Sequence, residues 1–349
     1  MVQSTRPSLK VVGLHVEGLK ALRLVDWPEG GMAWAGEVPD VVMVGGANGS
    51  GKTTLLELIA AMAPCLYDAS RLPVLPDYDA WIDFHVTSAL TGSVTFRVVV
   101  GDEAFVNTHK TAESVGFARE RQGPTPYGLA YSQGPFVEMA NGFLPDRKAF
   151  TSSDFPGVVY FPTDRQLLIP DEAYKAAGRL NGSVEFVHRF QPASKWTQSV
   201  EALLYAARWA DLNAKDSGRP EEATHFESYA RAFEGFFGAE KRLIWTPGGE
   251  VVVEIARGGA AHSINELSSG EKQALLFGAE LHRRWRPGSL ILIDEPELHL
   301  HPTWQTALWT LLERWQKERG GQVIVATQSN HLFGIAEPGT TVLLGQAFT

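Results

Sequence analysis

The chain has 349 residues and a formal net charge of −9, with 44% hydrophobic and 20% charged residues. This length and balance are typical of a soluble protein with one large core or two smaller ones. The net negative charge argues against a protein that binds duplex DNA along its whole surface. A local basic patch is compatible with the composition, but nothing in the charge indicates nucleic acid.

A single cysteine, Cys65, excludes a disulfide framework within the chain and favours a reducing compartment. The N-terminal stretch MVQSTRPSLKVV lacks the apolar run of a signal peptide. The longest apolar stretches are too short to cross a bilayer. We therefore expect a cytoplasmic protein with no membrane contact.

The first hundred residues predict mainly strands, and we expect them to form an N-terminal β lobe. Val12, Leu14 and Val16 alternate with polar or small neighbours, as in a strand with one buried face. Residues 40–45 form a short continuous apolar run, which is typical of a strand buried on both faces. Two alternating segments around Thr91 and Gly92 predict a hairpin.

The remaining chain divides into three predicted parts. Residues 101–157 are dense in turn formers and predict a loop-rich insertion. Residues 158–249 begin with a strand and continue as a helical lobe, because apolar residues recur there at helical spacing. Residues 250–349 alternate strand and helix, which predicts a C-terminal lobe of α/β type.

The stretch GANGSGKT, residues 46–53, matches the pattern G-x-x-x-x-G-K-[ST] of a phosphate-binding loop. The apolar run before it and the helical sequence TTLLELIAAM after it supply the strand and helix that the motif needs. Lys52 should reach the β- and γ-phosphates, and Thr53 offers a hydroxyl to Mg²⁺. The predicted nucleotide-binding residues are Gly46, Ala47, Asn48, Gly49, Ser50, Gly51, Lys52, Thr53 and Thr54.

The stretch LILIDEPELHLHP, residues 290–302, predicts an apolar strand that ends in two carboxylates. Beside a phosphate loop, such a strand places Asp294 near the Mg²⁺ ion. Glu295 is then positioned to act as general base toward an attacking water.

A second anion-binding turn is predicted in ELSSGEKQ, residues 266–273. Ser268, Ser269, Gly270 and Glu271 open a helix whose first N–H groups and serine hydroxyls can bind a phosphate. One nucleotide cannot easily occupy two phosphate sites of one chain, so this site calls for a second nucleotide.

With these three motifs in order, the chain resembles ATP-binding-cassette (ABC) ATPases, and LSSGEK resembles their signature loop. The run IDEPELHLHP is similar to the RecF-like, OLD-like and SMC-like branch, which includes stand-alone bacterial ATPases of antiphage defence. The resemblance covers residues 9–62 and 250–345 well. It implies an α/β P-loop NTPase fold, as a single domain over 1–349, with an ABC/SMC-like head, an antiparallel β lobe and a helical lobe. It also implies ATP and Mg²⁺ as ligands, and a head-to-tail homodimer in which the signature loop closes over the partner's ATP.

Three further positions take their roles from the resemblance alone. Gln328 stands where the family usually has a histidine that touches the γ-phosphate, and it cannot carry a positive charge. His301 stands where the family has the aspartate of its D-loop. Gln166 is our candidate for the Q-loop, with Arg165 as the alternative; a solvated strand end explains this polar stretch almost equally well.

The sequence contains no nuclease signature and no second catalytic domain. We therefore expect an ATPase that gates or scaffolds a separate effector protein, a nuclease or a toxin, as in bacterial antiphage defence. A RecF-like DNA-repair ATPase is the alternative, and the ATPase subunit of a membrane transporter is a third reading.

Overall fold

The structure is a computed structural model. It describes residues 6–27, 38–66, 78–88, 92–119, 127–134, 156–163, 187–189, 200–220, 225–237, 240–255, 259–268, 284–298, 300–336 and 340–344, together with residues 270, 271, 274, 275, 278 and 281.

From residue 290 to residue 343, strands and helices alternate as the sequence pattern predicts for an α/β lobe. The strands are β1 (Ser8–Leu19), β2 (Leu22–Trp27), β3 (Val41–Gly45), β4 (Asp79–Ser88), β5 (Gly92–Gly101), β6 (Ser114–Arg119), β7 (Tyr127–Gln133), β8 (Val158–Phe161), β9 (Val187–Arg189), β10 (Lys241–Trp245), β11 (Val251–Ile255), β12 (Ala261–Ser263), β13 (Leu290–Asp294), β14 (Gln322–Thr327) and β15 (Thr341–Leu343). The helices are α1 (Lys52–Met62), α2 (Glu103–Thr108), α3 (Val200–Asp216), α4 (His225–Phe237), α5 (Pro302–Arg319) and α6 (Asn330–Ile335). Short 3₁₀ turns span Ala63–Leu66 and Ile264–Glu266.

A parallel sheet with the strand order β15-β3-β14-β13-β8-β9 forms the centre of the molecule. Its inner strands are continuous apolar runs because both faces of the sheet are covered. Alternate residues of one strand face different cores: Val42 and Val44 pack into one hydrophobic cluster and Met43 into the other. The carboxyl ends of β3, β14 and β13 lie side by side, and this edge is where ligands bind in such sheets.

An N-terminal sheet with the order β2-β1-β4-β5-β6-β7 covers one face of the parallel sheet. All its neighbours are antiparallel except β5 and β6. The predicted hairpin is β4 and β5. A third, three-stranded sheet has the order β10-β11-β12.

The described residues within 101–157 include regular elements, in contrast to the loop-rich insertion that we expected. Within them, α2, β6 and β7 extend the N-terminal sheet well beyond residue 100. Asp102 caps α2 by accepting a hydrogen bond from the Phe105 N–H, so this short helix makes the parallel crossover between β5 and β6. Gly116 interrupts the strand pattern of β6, and a Cβ there would overlap the Tyr131 ring of β7. The glycine that permits this packing thus weakens the sequence signal of the strand.

The predicted helical lobe over 158–249 is helical only in α3 and α4 within the described residues. Strands β8 and β9 at its start belong to the parallel sheet, and β10 at its end belongs to the three-stranded sheet. The buried Asp211 joins the two helices by accepting hydrogen bonds from the N–H groups of His225 and Phe226, each at 2.9 Å.

A bulge in β1 links the two large sheets. The register shifts between Val11 and Gly13, so Val11 is buried and Val12 only half-buried, in contrast to the simple alternation that we expected. The fully buried Gln322 at the start of β14 pairs with this bulge. Its Oε1 accepts from the Val11 N–H at 2.9 Å, and its Nε2 donates to the carbonyls of Val11 and Pro39. One amide side chain thereby satisfies three backbone groups, two of them buried.

None of the described helices is long and apolar enough to cross a membrane.

Candidate functional site

The predicted phosphate-binding loop lies between β3 and α1. Gly46, Gly49 and Gly51 all have positive φ values, 152°, 79° and 97°. Gly51 is the N-cap of α1, and no side chain caps the helix there. A Cβ at Gly51 would overlap the side chain of Leu22 in β2, so the N-terminal sheet itself requires glycine at this position. The loop therefore presents bare backbone N–H groups at the positive end of a helix.

The Lys52 ammonium lies inside the loop. Lys52 is 5% exposed, and its Nζ donates to the carbonyls of Gly46 at 2.9 Å and Ala47 at 3.2 Å. The same Nζ lies 3.5 Å from Oε1 of Glu295. The cation is thus held between the loop backbone and the predicted general base.

Thr53 and Asp294 meet directly, although 241 positions of sequence separate them. Thr53 Oγ1 donates to Asp294 Oδ2 at 2.6 Å, and the Thr163 hydroxyl donates to the same carboxylate oxygen. Asp294 is the last residue of β13 and is fully buried. A hydroxyl and a carboxylate in contact are the hard oxygen ligands that Mg²⁺ takes in phosphate sites, so these residues fit the ion.

Glu295 lies at the turn that follows β13, with a φ of 47°, in the left-handed region. Its N–H donates to the Ala326 carbonyl at 2.8 Å, which extends the pairing of β13 with β14 by one residue. Burial, and next the charge and hydrogen bond of Glu297, raise the pKa of Glu295 to about 7, while Lys52 opposes the shift. A carboxylate with this pKa is a stronger base than an ordinary glutamate at neutral pH.

These groups surround an open cavity of about 470 Å³. The cavity is lined by residues of the phosphate loop, of the ends of β8, β13 and β14, and of the turn between β1 and β2: Lys20, Ala21, Asn48, Gly49, Gly51, Lys52, Thr53, Thr54, Thr163, Glu295, Leu298 and Gln328. The predicted residue Gln328 is exposed, follows β14 directly, and lies in this lining.

The predicted signature residues lie elsewhere, since none of the described ones lines the cavity. Ser268 is exposed, and the backbone is helical at 270 and 271. Ser268 and Glu271 form a capping box: the Ser268 N–H donates to Glu271 Oε2 at 2.8 Å, and Ser268 Oγ accepts weakly from the Glu271 N–H. Ser269 lies outside the described residues.

Glu271 differs from our expectation that all four signature residues face a partner's nucleotide. Its carboxylate is buried and forms an ion pair with Lys241 of β10. A carboxylate held in this way stabilises the loop from the interior of the protein. This leaves the phosphate-facing role to the exposed side of the turn.

The remaining predicted positions are His301 and Gln166. His301 is exposed and is the N-cap of α5, where its Nδ1 accepts from the Thr303 N–H. Gln166 and its alternative Arg165 lie outside the described residues.

Two site residues, Thr163 and Glu297, were not predicted from the sequence. Thr163 stands three residues before Gln166 in the sequence, and only its contact with Asp294 distinguishes it from its neighbours. Glu297 accepts hydrogen bonds from Thr327 Oγ1 at 2.6 Å and from the Gln328 N–H at 2.9 Å. The position of Glu297, two residues after the predicted base, could have suggested a role for its carboxyl. The sequence does not show that the end of β14 lies beside it.

The parallel sheet, the phosphate loop between β3 and α1, and the acidic end of β13 define the fold of a P-loop NTPase. Residues 163–334 match the model of the family described as "AAA domain, putative AbiEii toxin, Type IV TA system". This match covers just under half of the chain and, with the phosphate loop, supports a P-loop NTPase fold.

Solved structures of SMC head domains are similar to the chain at low identity. The SMC head domain from Thermotoga maritima is 17% identical, with 96% of this chain and 93% of that one covered and a TM-score of 0.45. The Smc head domain with an extended coiled coil, bound to the C-terminal domain of ScpA derived from Pyrococcus furiosus, is 16% identical, with coverages of 94% and 91% and a TM-score of 0.45. A SmcHead bound to the C-winged helix domain of ScpA is 16% identical, with coverages of 93% and 91% and a TM-score of 0.46. No curated protein matches the chain.

Proposed function

We propose that the protein binds ATP in the cavity beside the phosphate loop and hydrolyses it in a Mg²⁺-dependent reaction. The observation that carries this proposal is the convergence of Thr53 with Asp294 and of Lys52 with Glu295 at one edge of the parallel sheet. Phosphoryl transfer to water needs a phosphate cradle, two oxygen ligands for the metal and a base beside it. The four side chains supply these parts.

Each residue has a distinct task in this reaction. The loop N–H groups and Lys52 bind the triphosphate, and a triphosphate in the loop competes with Glu295 for the lysine ammonium. Thr53 and Asp294 hold Mg²⁺, which offsets the negative charge of the phosphates when bound. Glu295 accepts a proton from the attacking water. Gln328 donates a neutral hydrogen bond to the γ-phosphate.

The active form is a head-to-tail homodimer with ATP between the subunits. Ser268, Ser269 and Gly270 of one subunit contact the γ-phosphate in the site of the other. Two features support this arrangement: the described signature residues lie outside the cavity of their own chain, and Ser268 is exposed. The ion pair between Glu271 and Lys241 stabilises the signature loop from the interior of its own subunit. His301, at the start of α5, lies at the position of the D-loop and faces the same interface.

The dimer gates or scaffolds a separate effector protein, a nuclease or a toxin, in the cytoplasm of a bacterium. The family description, which names a putative toxin of a type IV toxin–antitoxin system, favours an effector system over transport or DNA repair. The net charge of −9 gives no support to a nucleic-acid partner.

Phosphate release from ATP, with and without Mg²⁺, tests the enzymatic part of this proposal. Glu295→Gln should retain ATP binding and lower hydrolysis by about 10² or more, because only the proton acceptor is lost. Lys52→Ala should lose ATP binding itself. The exposed Glu318 provides a matched control, and Glu318→Gln should hydrolyse ATP like the wild type. Near-normal turnover by Glu295→Gln would remove Glu295 from the role of base.

A further inference from the structure

The backbone turns sharply after the predicted base and returns toward β14. Glu295 has a φ of 47°, and the turn is closed by hydrogen bonds from the Leu298 N–H to the Glu295 carbonyl at 3.2 Å and from the Leu300 N–H to the Glu297 carbonyl at 2.9 Å. The turn brings the side chain of Glu297 across to the end of the neighbouring strand.

There, one oxygen of Glu297 accepts two hydrogen bonds. Thr327 Oγ1 donates to Oε1 at 2.6 Å, and the Gln328 N–H donates to the same atom at 2.9 Å. Thr327 is fully buried, whereas the side chain of Gln328 is exposed in the cavity lining. Hydrogen bonds to a charged acceptor are stronger than neutral ones, so this contact fixes the backbone at Gln328.

The contact belongs to a closed ring of hydrogen bonds. Thr327 Oγ1 accepts from the Ser329 N–H at 2.9 Å, and Ser329 Oγ donates to Gln305 Oε1 at 2.7 Å. Gln305 Nε2 donates to the Leu300 carbonyl at 3.1 Å, and the Leu300 N–H returns to Glu297. Ser329 Oγ also accepts from the Leu332 N–H and caps α6. The ring therefore ties the turn after β13, the loop after β14 and the first turns of α5 and α6 into one unit.

We propose that Glu297 is a positioning residue of the ATPase site: its carboxylate clasps Thr327 and the Gln328 N–H, and so sets where the Gln328 side chain meets the γ-phosphate relative to Glu295. This inference rests on the proposed ATPase function. Glu297 does not line the cavity; it positions Gln328 through the backbone, and its charge also raises the pKa of Glu295. A displacement of about 1 Å at such a group can lower the rate by 10²-fold, so the clasp has a direct effect on turnover.

The ring also explains why an acid stands at position 297. Two donors meet at one oxygen, so the residue must supply an acceptor that carries no proton. The carbonyl oxygen of glutamine can take the same place, whereas alanine leaves the buried Thr327 hydroxyl and the Gln328 N–H without this acceptor. Glutamine at 297 is therefore the conservative replacement, and alanine is the disruptive one.

Steady-state hydrolysis by single and double variants tests the inference. Glu297→Ala should lower kcat about 10-fold or more with the KM for ATP within about 3-fold of wild type, because binding by the phosphate loop is untouched. Glu297→Gln should recover part of the lost kcat, because it restores the acceptor but not the charge that raises the pKa of Glu295. Gln328→Ala should also lower kcat, and combining it with Glu297→Ala should give no slower an enzyme than combining it with Glu297→Gln, since the acceptor at 297 acts only through Gln328.

Thr327→Val provides a second route to the same contact if Glu297→Ala folds poorly. It removes the hydroxyl donor at nearly constant volume and should reproduce part of the kcat loss, while Thr327→Ser should not. The inference is overturned if Glu297→Ala turns over ATP like the wild type, or if its loss and that of Gln328→Ala simply add. A merely structural role would raise KM and lower thermal stability in all variants alike, and this result would also overturn it. A wild-type chain that does not hydrolyse ATP would instead contradict the proposed function on which the inference rests.

Discussion

At the scale of the residue, Glu295 combines a buried carboxyl, an acidic neighbour and a nearby lysine. Burial and Glu297 raise its pKa from 4.5 to about 7, and Lys52 compensates only in part. The ionised form of Glu295 is therefore disfavoured in the folded protein relative to the unfolded chain. The raised pKa that makes Glu295 a good base therefore also lowers the stability of the folded protein near neutral pH.

This cost has a defined pH window. As pH rises from about 4.5 to about 7, the unfolded chain releases the Glu295 proton while the folded chain retains it, so the free energy of unfolding falls. A shift of this size corresponds to about 3 kcal/mol at most. Glu295→Gln removes the loss, so without Mg²⁺ and nucleotide this variant should melt above the wild type at pH 8. Near pH 4.5 the two should differ little.

Thermal melts across this pH range, with Glu318→Gln as the control, check the prediction. If the wild type and Glu295→Gln lost stability in parallel between pH 5 and 8, the raised pKa of Glu295 would be contradicted.

Single residues of the site were predictable to different degrees. Lys52, Thr53 and Asp294 belong to local motifs whose spacing reflects a fixed strand–loop–helix geometry, so the sequence indicates their contacts. The clasp of Glu297 depends on which strand lies beside β13, and no local spacing encodes that neighbour. The inward position of Glu271 likewise depends on Lys241, which is 30 residues away.

At the scale of the element, the buried strands were the most predictable. Strands β3, β13 and β14 are continuous apolar runs because helices or sheets cover both faces. The prediction failed where packing needs small residues, as at Gly116 in β6, and where a bulge shifts the alternation, as between Val11 and Gly13. In both places a tertiary contact outweighs the local pattern.

The bulge makes Gln322 a decisive contact between two elements. Gln322→Met keeps the approximate shape but leaves the Val11 N–H and the carbonyls of Val11 and Pro39 without their buried partner. We expect a loss of about 3 kcal/mol, since each unsatisfied buried group costs on the order of 1–3 kcal/mol and relaxation recovers part of it. Gln316→Met is the matched control, because the buried Gln316 donates to the single carbonyl of Gly321. It should cost about 1 kcal/mol.

Urea unfolding of both variants measures the difference. Equal midpoints for Gln322→Met and Gln316→Met would show that the bulge does not depend on the amide of Gln322.

At the scale of the whole molecule, the order of the three motifs was sufficient to predict the fold class. A phosphate loop after a buried strand and an acidic pair after another require a parallel sheet with both ends at one edge. The division into lobes was less predictable, since β8 and β9 precede the helices in the chain but join the central sheet. Sheet membership depends on pairing between distant segments, and periodicity within a segment carries no information about it.

In the proposed dimer, each ATPase site is shared between two subunits. This sharing is tested by mixing two inactive variants, Lys52→Ala and Ser268→Asp. Aspartate keeps the N-cap of the signature helix but places a negative charge where the partner's γ-phosphate would lie. Ser268→Thr, which retains hydroxyl and cap, is the control and should remain active.

Mixing equal amounts should restore about a quarter of wild-type ATP hydrolysis, because random pairing makes half of the dimers mixed and each mixed dimer has one intact site. A mixture that stays as inactive as either variant alone, although the chains exchange, would contradict the shared site. Full activity of Ser268→Asp by itself would contradict it equally.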